Sequence, residues 1–120
     1  MDKKTIVLGA SAKADKYSNM CVKKLLAKGH TVVAIGNKAG LIEHLPIVEE
    51  LLPHSVVDTI TIYLSPINQK KYYEYILAIK PLRIIFNPGT ENDELEQLAL
   101  KNNIKVANAC TLVMLTTNQY

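Results

Sequence analysis

The segment Thr5-Ile6-Val7-Leu8 runs into Gly9, and this short stretch constrains the fold more than any other feature. Consecutive apolar or β-branched residues without polar alternation read as a strand buried on both faces, and such strands belong to sheets covered by helices on each side. Further strands are read at Thr31-Val32-Val33-Ala34-Ile35, from Asp58 to Leu64, where Thr59, Thr61 and Tyr63 alternate with Ile60, Ile62 and Leu64, from Arg83 to Phe86 and from Ile104 to Ala107. Helical spacing fills the intervals. Cys21, Val22, Leu25 and Leu26 form an apolar stripe entered at Ser18 and closed by Gly29. Tyr72, Ile76 and Ile79 form a second, which stops before Pro81. Leu95, Leu98 and Ala99 form a third, capped by Thr90 or Asn92 and opened by Glu91, Asp93 and Glu94. The middle, from Gly36 to Pro53, has no clear period and is expected to be irregular, with at most one helical turn over Val48 to Leu52.

Strands alternating with helices predict an α/β fold: one Rossmann-like, doubly wound parallel sheet of about five strands in the order 3-2-1-4-5, spanning residues 1–120 as a single domain. A length of 120 residues with 48% hydrophobic content is enough for one core. The charged start, Met1-Asp2-Lys3-Lys4, precedes an apolar run too short for a signal segment or a membrane span, so a cytoplasmic chain without a membrane partner is expected. Cys21 and Cys110 read as reduced thiols, and His30, His44 and His54 lack the spacing of metal ligands. A net charge of +3, with Lys23-Lys24 and Lys70-Lys71 at solvent-facing helix positions and no interleaved aromatics, argues against nucleic acid and favours a small anionic ligand.

In doubly wound sheets ligands bind beyond the carboxyl ends of the strands, where the winding reverses. Gly9-Ala10-Ser11, Gly36-Asn37-Lys38, Ser65-Pro66 and Asn87-Pro88-Gly89 all collect there. The first loop departs from the dinucleotide fingerprint, because Ser11 and Ala14 stand where glycines are needed. Its length still allows backbone amides, the Ser11 hydroxyl and Lys13 to wrap a pyrophosphate at the helix entry near Ser18 and Asn19. After the second strand, NAD enzymes place a carboxylate against the ribose; Lys38 stands there instead. A lysine suits a phosphorylated ribose, either the 3′-phosphate of coenzyme A or the 2′-phosphate of NADP.

Gly9-Ala10-Ser11, Lys16-Tyr17-Ser18-Asn19, Asn87-Pro88-Gly89 and the late Cys110, taken in register, resemble the small CoA-binding proteins, a family similar to the nucleotide-binding domain of the succinyl-CoA synthetase α-subunit. The resemblance implies coenzyme A or an acyl-CoA as the ligand of a stand-alone module. It places Gly9, Ala10, Ser11 and Lys13 at the pyrophosphate, with Tyr17 and Ser18 at the helix mouth. Gly36, Asn37 and Lys38 would flank the adenosine and its 3′-phosphate, Leu64 and Pro66 the adenine side, and Pro88 and Gly89 the loop after the fourth strand. Two departures stand out: family members commonly carry Asn-Pro at Gly36-Asn37, and an Arg at Ala109.

No catalytic residue is assigned. Cys110 has no local base or cation to activate it, and Glu91, Asp93 and Glu94 are acids that a helix macrodipole selects. Three readings stay open: a non-catalytic CoA-binding module, a component of an NADP- or acyl-CoA-dependent enzyme acting with a partner, and a ligand-free interaction domain. Homo-oligomerisation is also open, with the apolar run Thr111 to Leu115 as the segment to consider.

Overall fold

The protein is described here from a computed structural model that covers residues 1–120. Strand β1 (Thr5–Leu8) lies at the centre of one mixed sheet, paired in parallel with β2 (Val32–Ile35) on one side and with β5 (Thr59–Ile62) on the other. Beyond β5 the sheet continues in parallel through β6 (Arg83–Phe86) and β7 (Lys105–Asn108). Beyond β2 it continues through β4 (Leu45–Val48), parallel to β2, and ends in β3 (Gly40–Ile42), antiparallel to β4. The order is therefore β3-β4-β2-β1-β5-β6-β7. The helices are α1 (Tyr17–Ala27), α2 (Pro66–Gln69), α3 (Tyr73–Ile79), α4 (Asp93–Lys101) and α5 (Thr111–Thr116), with a 3-10 turn over Lys70–Tyr72 joining α2 to α3.

The α/β, Rossmann-like class matches the sequence expectation, and its five-strand list and strand order require correction. The strand expected third, Thr59–Ile62, does not sit outside β2; it pairs directly with β1 on the opposite side. The place beside β2 belongs to β4, from the segment expected to be irregular, and Val48 ends that strand instead of opening a helical turn. Pro46 lies in β4 ahead of Ile47 and Val48, the two residues registered with β2, so its missing N–H removes no donor from that parallel pairing. The hairpin turn between β3 and β4 uses Glu43 in the left-handed region, at φ +56°, in place of the glycine or asparagine that normally marks such turns.

Alternate strand residues supply two cores. Ile6, Leu8, Ile60, Ile62, Ile84 and Phe86 meet Tyr72, Ile76, Leu95 and Ala99 on one face. Val7, Ala34 and Ile47 meet Cys21, Val22, Leu25 and Leu115 on the other. Gly29, at φ +85°, ends α1 as expected: its amide bonds the Leu26 carbonyl and that of His30 bonds Leu25. The apolar run Thr111 to Leu115 forms α5 against α1, with Thr111 and Leu115 buried inside the chain and Val113 exposed.

One buried polar network fixes the carboxyl ends of β5 and β6. Asn87 Nδ2 donates to Thr61 Oγ1 (2.7 Å) and to the Ile62 carbonyl (2.8 Å), while its Oδ1 accepts from the Thr111 amide (2.9 Å). Thr61 and Thr111 share a hydroxyl hydrogen bond of 2.8 Å. Buried polar groups left unpaired cost about 1–3 kcal/mol each. We therefore expect Asn87→Ala to lower the unfolding free energy by about 3 kcal/mol, measured by urea denaturation; a change under about 0.5 kcal/mol would place the network outside the stability of the fold.

Candidate functional site

A cleft of about 590 Å³ opens at the carboxyl ends of β1, β2 and β5. Its floor follows from how β1 stops. Gly9 adopts φ +96°, and the amides of Gly9 and Ala10 both donate to the Ile35 carbonyl, at 2.8 and 2.9 Å. The chain thus folds sharply over the last residue of β2. A Cβ on Gly36 would lie 2.4 Å from the Ala10 carbonyl oxygen, and one on Gly40 would lie 2.9 Å from Ala12 Cβ. The first loop rests directly on two glycines of the β2–β3 segment.

Above this floor the loop is held at its ends and free in its middle. Asn19 Nδ2 donates to the Ser11 carbonyl (2.9 Å), the Lys16 amide to the Lys13 carbonyl (3.1 Å), and the Lys13 amide to Ser11 Oγ (3.2 Å). The Ser11 and Ala12 amides donate to no group of the chain. Helix α1 follows its N-cap Lys16 without a side-chain cap and without an acid in its first turn. The first-turn amides of a helix have no intrahelical acceptor and carry the positive end of its dipole, and Lys16, Tyr17 and Ser18 at this helix start all line the cleft.

Charge follows the same pattern. Lys13, Lys16, Lys38 and Lys71 line the cleft, and no aspartate or glutamate does. The chain's one Arg–Asp ion pair, Asp58–Arg83, and the Asp2–His30 contact at 4.0 Å do not involve these lysines. Leu64, Tyr63 and Tyr72 supply apolar surface on the β5 side, beside Asn68. Burial raises the pKa of the Tyr63 phenol, with Cys21 nearby adding to the shift, so Tyr63 contributes ring surface and no charge.

Of the residues singled out from sequence, Gly9, Ala10, Ser11, Lys13, Tyr17, Ser18, Gly36, Asn37, Lys38 and Leu64 converge on this cleft. Pro66, Pro88 and Gly89 do not line it. Pro66 is exposed at the start of α2, and the loop after β6 is drawn into the structural network instead: Thr90 Oγ1 bonds the Asn87 carbonyl, and Gln69 Nε2 bonds the carbonyls of Leu64 and Thr90. Gly9 and Ala10 also differ from expectation in detail, since their amides are spent on Ile35 and leave Ser11 and Ala12 as the free donors. Sequence reasoning missed Ala12, Lys16, Ala39, Tyr63, Asn68, Lys71 and Tyr72. Lys16 was within reach of it, one residue before the helix; Lys71 was assigned to a solvated face.

The remaining candidate groups lie apart from the cleft. Cys21 is buried and free, its pKa pushed up to about 12 by desolvation, and Cys110 is free and half-buried at the start of α5. His30 accepts from the Lys3 amide at Nδ1 (2.9 Å), and burial lowers its pKa. It packs edge-on against Tyr120, whose ring lies 4.6 Å from the Arg83 guanidinium and whose hydroxyl bonds Thr5 Oγ1 at the amino end of the sheet. Asn92 caps α4 through the amides of Glu94 and Leu95, and Glu91 and Glu94 bond the Gly89 amide and the Tyr73 hydroxyl. No helix is long and apolar enough to cross a membrane.

Fold and cleft together define a Rossmann-like α/β protein with a basic, amide-rich crevice at its switch point. The chain belongs to the family described as the CoA binding domain, which matches residues 3–116. A solved structure of an uncharacterized protein is 41% identical and superposes with a TM-score of 0.97 over 100% of this chain and 99% of the other. A conserved hypothetical protein from Pyrococcus furiosus is 27% identical, with a TM-score of 0.79 over 94% and 98% of the two chains. A Thermus thermophilus protein shares the fold at 20% identity and a TM-score of 0.85, over 99% and 91%. No curated protein matches the sequence.

The Gly36 contact gives a direct test. A methyl group at 2.4 Å from a backbone oxygen cannot be absorbed by rotating a side chain. We expect Gly36→Ala to displace the first loop and lower the unfolding free energy by about 1–3 kcal/mol, with amide shifts in two-dimensional NMR concentrated at residues 9–13. Shifts confined to residues 35–37 would refute the contact.

Proposed function

We propose that the cleft binds coenzyme A or an acyl-CoA, and that the chain acts as a stand-alone binding module without covalent chemistry of its own. The observation that carries this reading is a cleft ringed by four lysines and no carboxylate, on a floor where glycines keep the backbone close and amides free. Membership of the CoA-binding family supports the same ligand.

The residues fit such a ligand group by group. The Ser11 and Ala12 amides, the start of α1, Lys13 and Lys16 suit a pyrophosphate. Lys38, on the loop after β2, suits the ribose 3′-phosphate, with Gly36 and Asn37 beside the adenosine and Leu64 offering an apolar surface for the base. Pro66, Pro88 and Gly89 would reach the ligand only at its periphery. No histidine, cysteine, aspartate or glutamate lines the cleft, which favours holding and presenting the coenzyme over acid–base or thiol chemistry.

NADP is the second reading, since Lys38 would suit a 2′-phosphate equally well. A calorimetric panel of CoA, dephospho-CoA, NADP, NAD and ATP separates the two. We expect CoA to bind best and to stabilise the fold by about 2.7 kcal/mol at a hundred times its Kd. Lys38→Ala should weaken CoA by about ten-fold and leave dephospho-CoA within about two-fold. Tighter binding of NADP than of CoA would overturn the reading, as would equal affinity for CoA and dephospho-CoA.

A further inference from the structure

The helical segment after β5 is broken where it meets the cleft. Residues Pro66–Gln69 are α-helical, Lys70–Tyr72 form a 3-10 turn, and the α-helix resumes at Tyr73. Consecutive side chains diverge by about 100° in an α-helix and by about 120° in a 3-10 turn, so two neighbours that both meet one cleft do so on different walls of it. Here the neighbours Lys71 and Tyr72 both line the cleft, and Lys70 does not. A 3-10 stretch inside a longer helix often marks a hinge or a strained stretch of sequence.

The break is firmly placed. Gln69, fully buried, donates to the carbonyls of Leu64 and Thr90 at 2.8 Å each, and its Oε1 accepts from Asn92 Nδ2 at 2.9 Å. Tyr72 is 7% exposed and belongs to the core. Between these two anchors Lys71 is exposed, its ammonium 5.3 Å from the centroid of the Tyr72 ring and paired with no carboxylate. An exposed cation on a tyrosine face gains little, about 0.5–1 kcal/mol, so an arriving anion can outcompete the ring.

Strand order then gives Lys71 its role. β2, β1 and β5 are neighbours in the sheet, with Lys38 following β2, the first loop following β1, and Lys71 following β5. An anion on the first loop is flanked by one lysine from each side. We propose that Lys71 is a phosphate-binding residue of the cleft, parked on Tyr72 in the free protein and transferred to a ligand phosphate when the cleft fills. This inference rests on the coenzyme A reading for its ligand and gives Lys71, which that reading counts only among the lysines of the cleft, a specific phosphate to hold.

The test compares Lys71→Met and Lys70→Met with the unaltered protein, titrating CoA, dephospho-CoA and adenosine by calorimetry. Lys71→Met should weaken CoA by about ten-fold, while Lys70→Met stays within about two-fold and adenosine is bound alike by all three proteins. A loss for CoA alone assigns Lys71 to the 3′-phosphate, and a loss for CoA and dephospho-CoA together assigns it to the pyrophosphate. Unchanged CoA affinity in Lys71→Met, or an equal loss in Lys70→Met, would overturn the inference and leave the coenzyme A reading standing. If the unaltered protein binds no CoA, that reading fails first, and the same variants are titrated with whichever of NADP or ATP does bind; a ligand-independent Lys71 there overturns this inference as well.

Discussion

At the end of β1 the chain must turn across the end of β2, and there is room for it only because residue 36 has no side chain. The Ile35 carbonyl takes both the Gly9 and the Ala10 amides, which pulls the first loop down until the Ala10 oxygen lies against Gly36. With the Gly9 and Ala10 amides spent on Ile35, the next two amides, of Ser11 and Ala12, are the ones left without a partner in the chain. A loop riding higher would bring the lysines on either side no nearer to one another but would fill the space between them with backbone. The resemblance noted from sequence has Asn-Pro at this position; in this chain the Gly36-Asn37 pair permits the contact, and Gly40 against Ala12 continues it along the edge hairpin.

Much of this was legible in the sequence because the strands are buried on both faces. A run such as Ile84-Ile85-Phe86 has one stable destination, and its bounds follow from the polar residues around it. The β3–β4 hairpin was not legible, for two physical reasons. Pro46 argues against a strand unless its N–H is dispensable, which depends on a register no local pattern reveals; and Glu43 takes a left-handed turn position that sequence assigns to glycine or asparagine. Missing that hairpin displaced the third expected strand to the wrong side of β1. The expected order therefore failed on both sides of β1–β2: β4 takes the place beside β2, and β5 instead of the Arg83–Phe86 strand pairs with β1, while the β2–β1 and β6–β7 adjacencies are as expected.

The candidate site was legible to a different degree at each loop. Residues directly following β1 and β2 were found because the switch-point rule points to them whatever their side chains. The loop after β6 was assigned by the same rule, yet Asn87 turns inward to serve Thr61, Ile62 and Thr111, and the loop closes over Gln69 rather than the cleft. Composition does not distinguish an asparagine that meets a ligand from one that satisfies buried backbone. Lys71 was missed for the converse reason: a lysine pair on a surface helix reads as solvated whichever way it faces, and only the placement of the segment after β5 shows that Lys71 lines the cleft and Lys70 does not.

The four lysines of the cleft repel one another, and no carboxylate lines the cleft between them, although Glu49 bonds the amide of the cleft residue Ala39. An uncompensated cluster of like charge is destabilising by a small amount at the surface and is relieved by any anion that enters. The tyrosine ring under Lys71 offers partial relief at little cost, and the free amides of Ser11, Ala12 and the α1 entry add partial positive charge to the same space. Electrostatics and backbone geometry therefore favour the same occupant, one carrying several phosphate oxygens. Because the lysines follow three neighbouring strands, the order of the sheet sets how far apart they start, and their flexible side chains close the remaining distance to a phosphate.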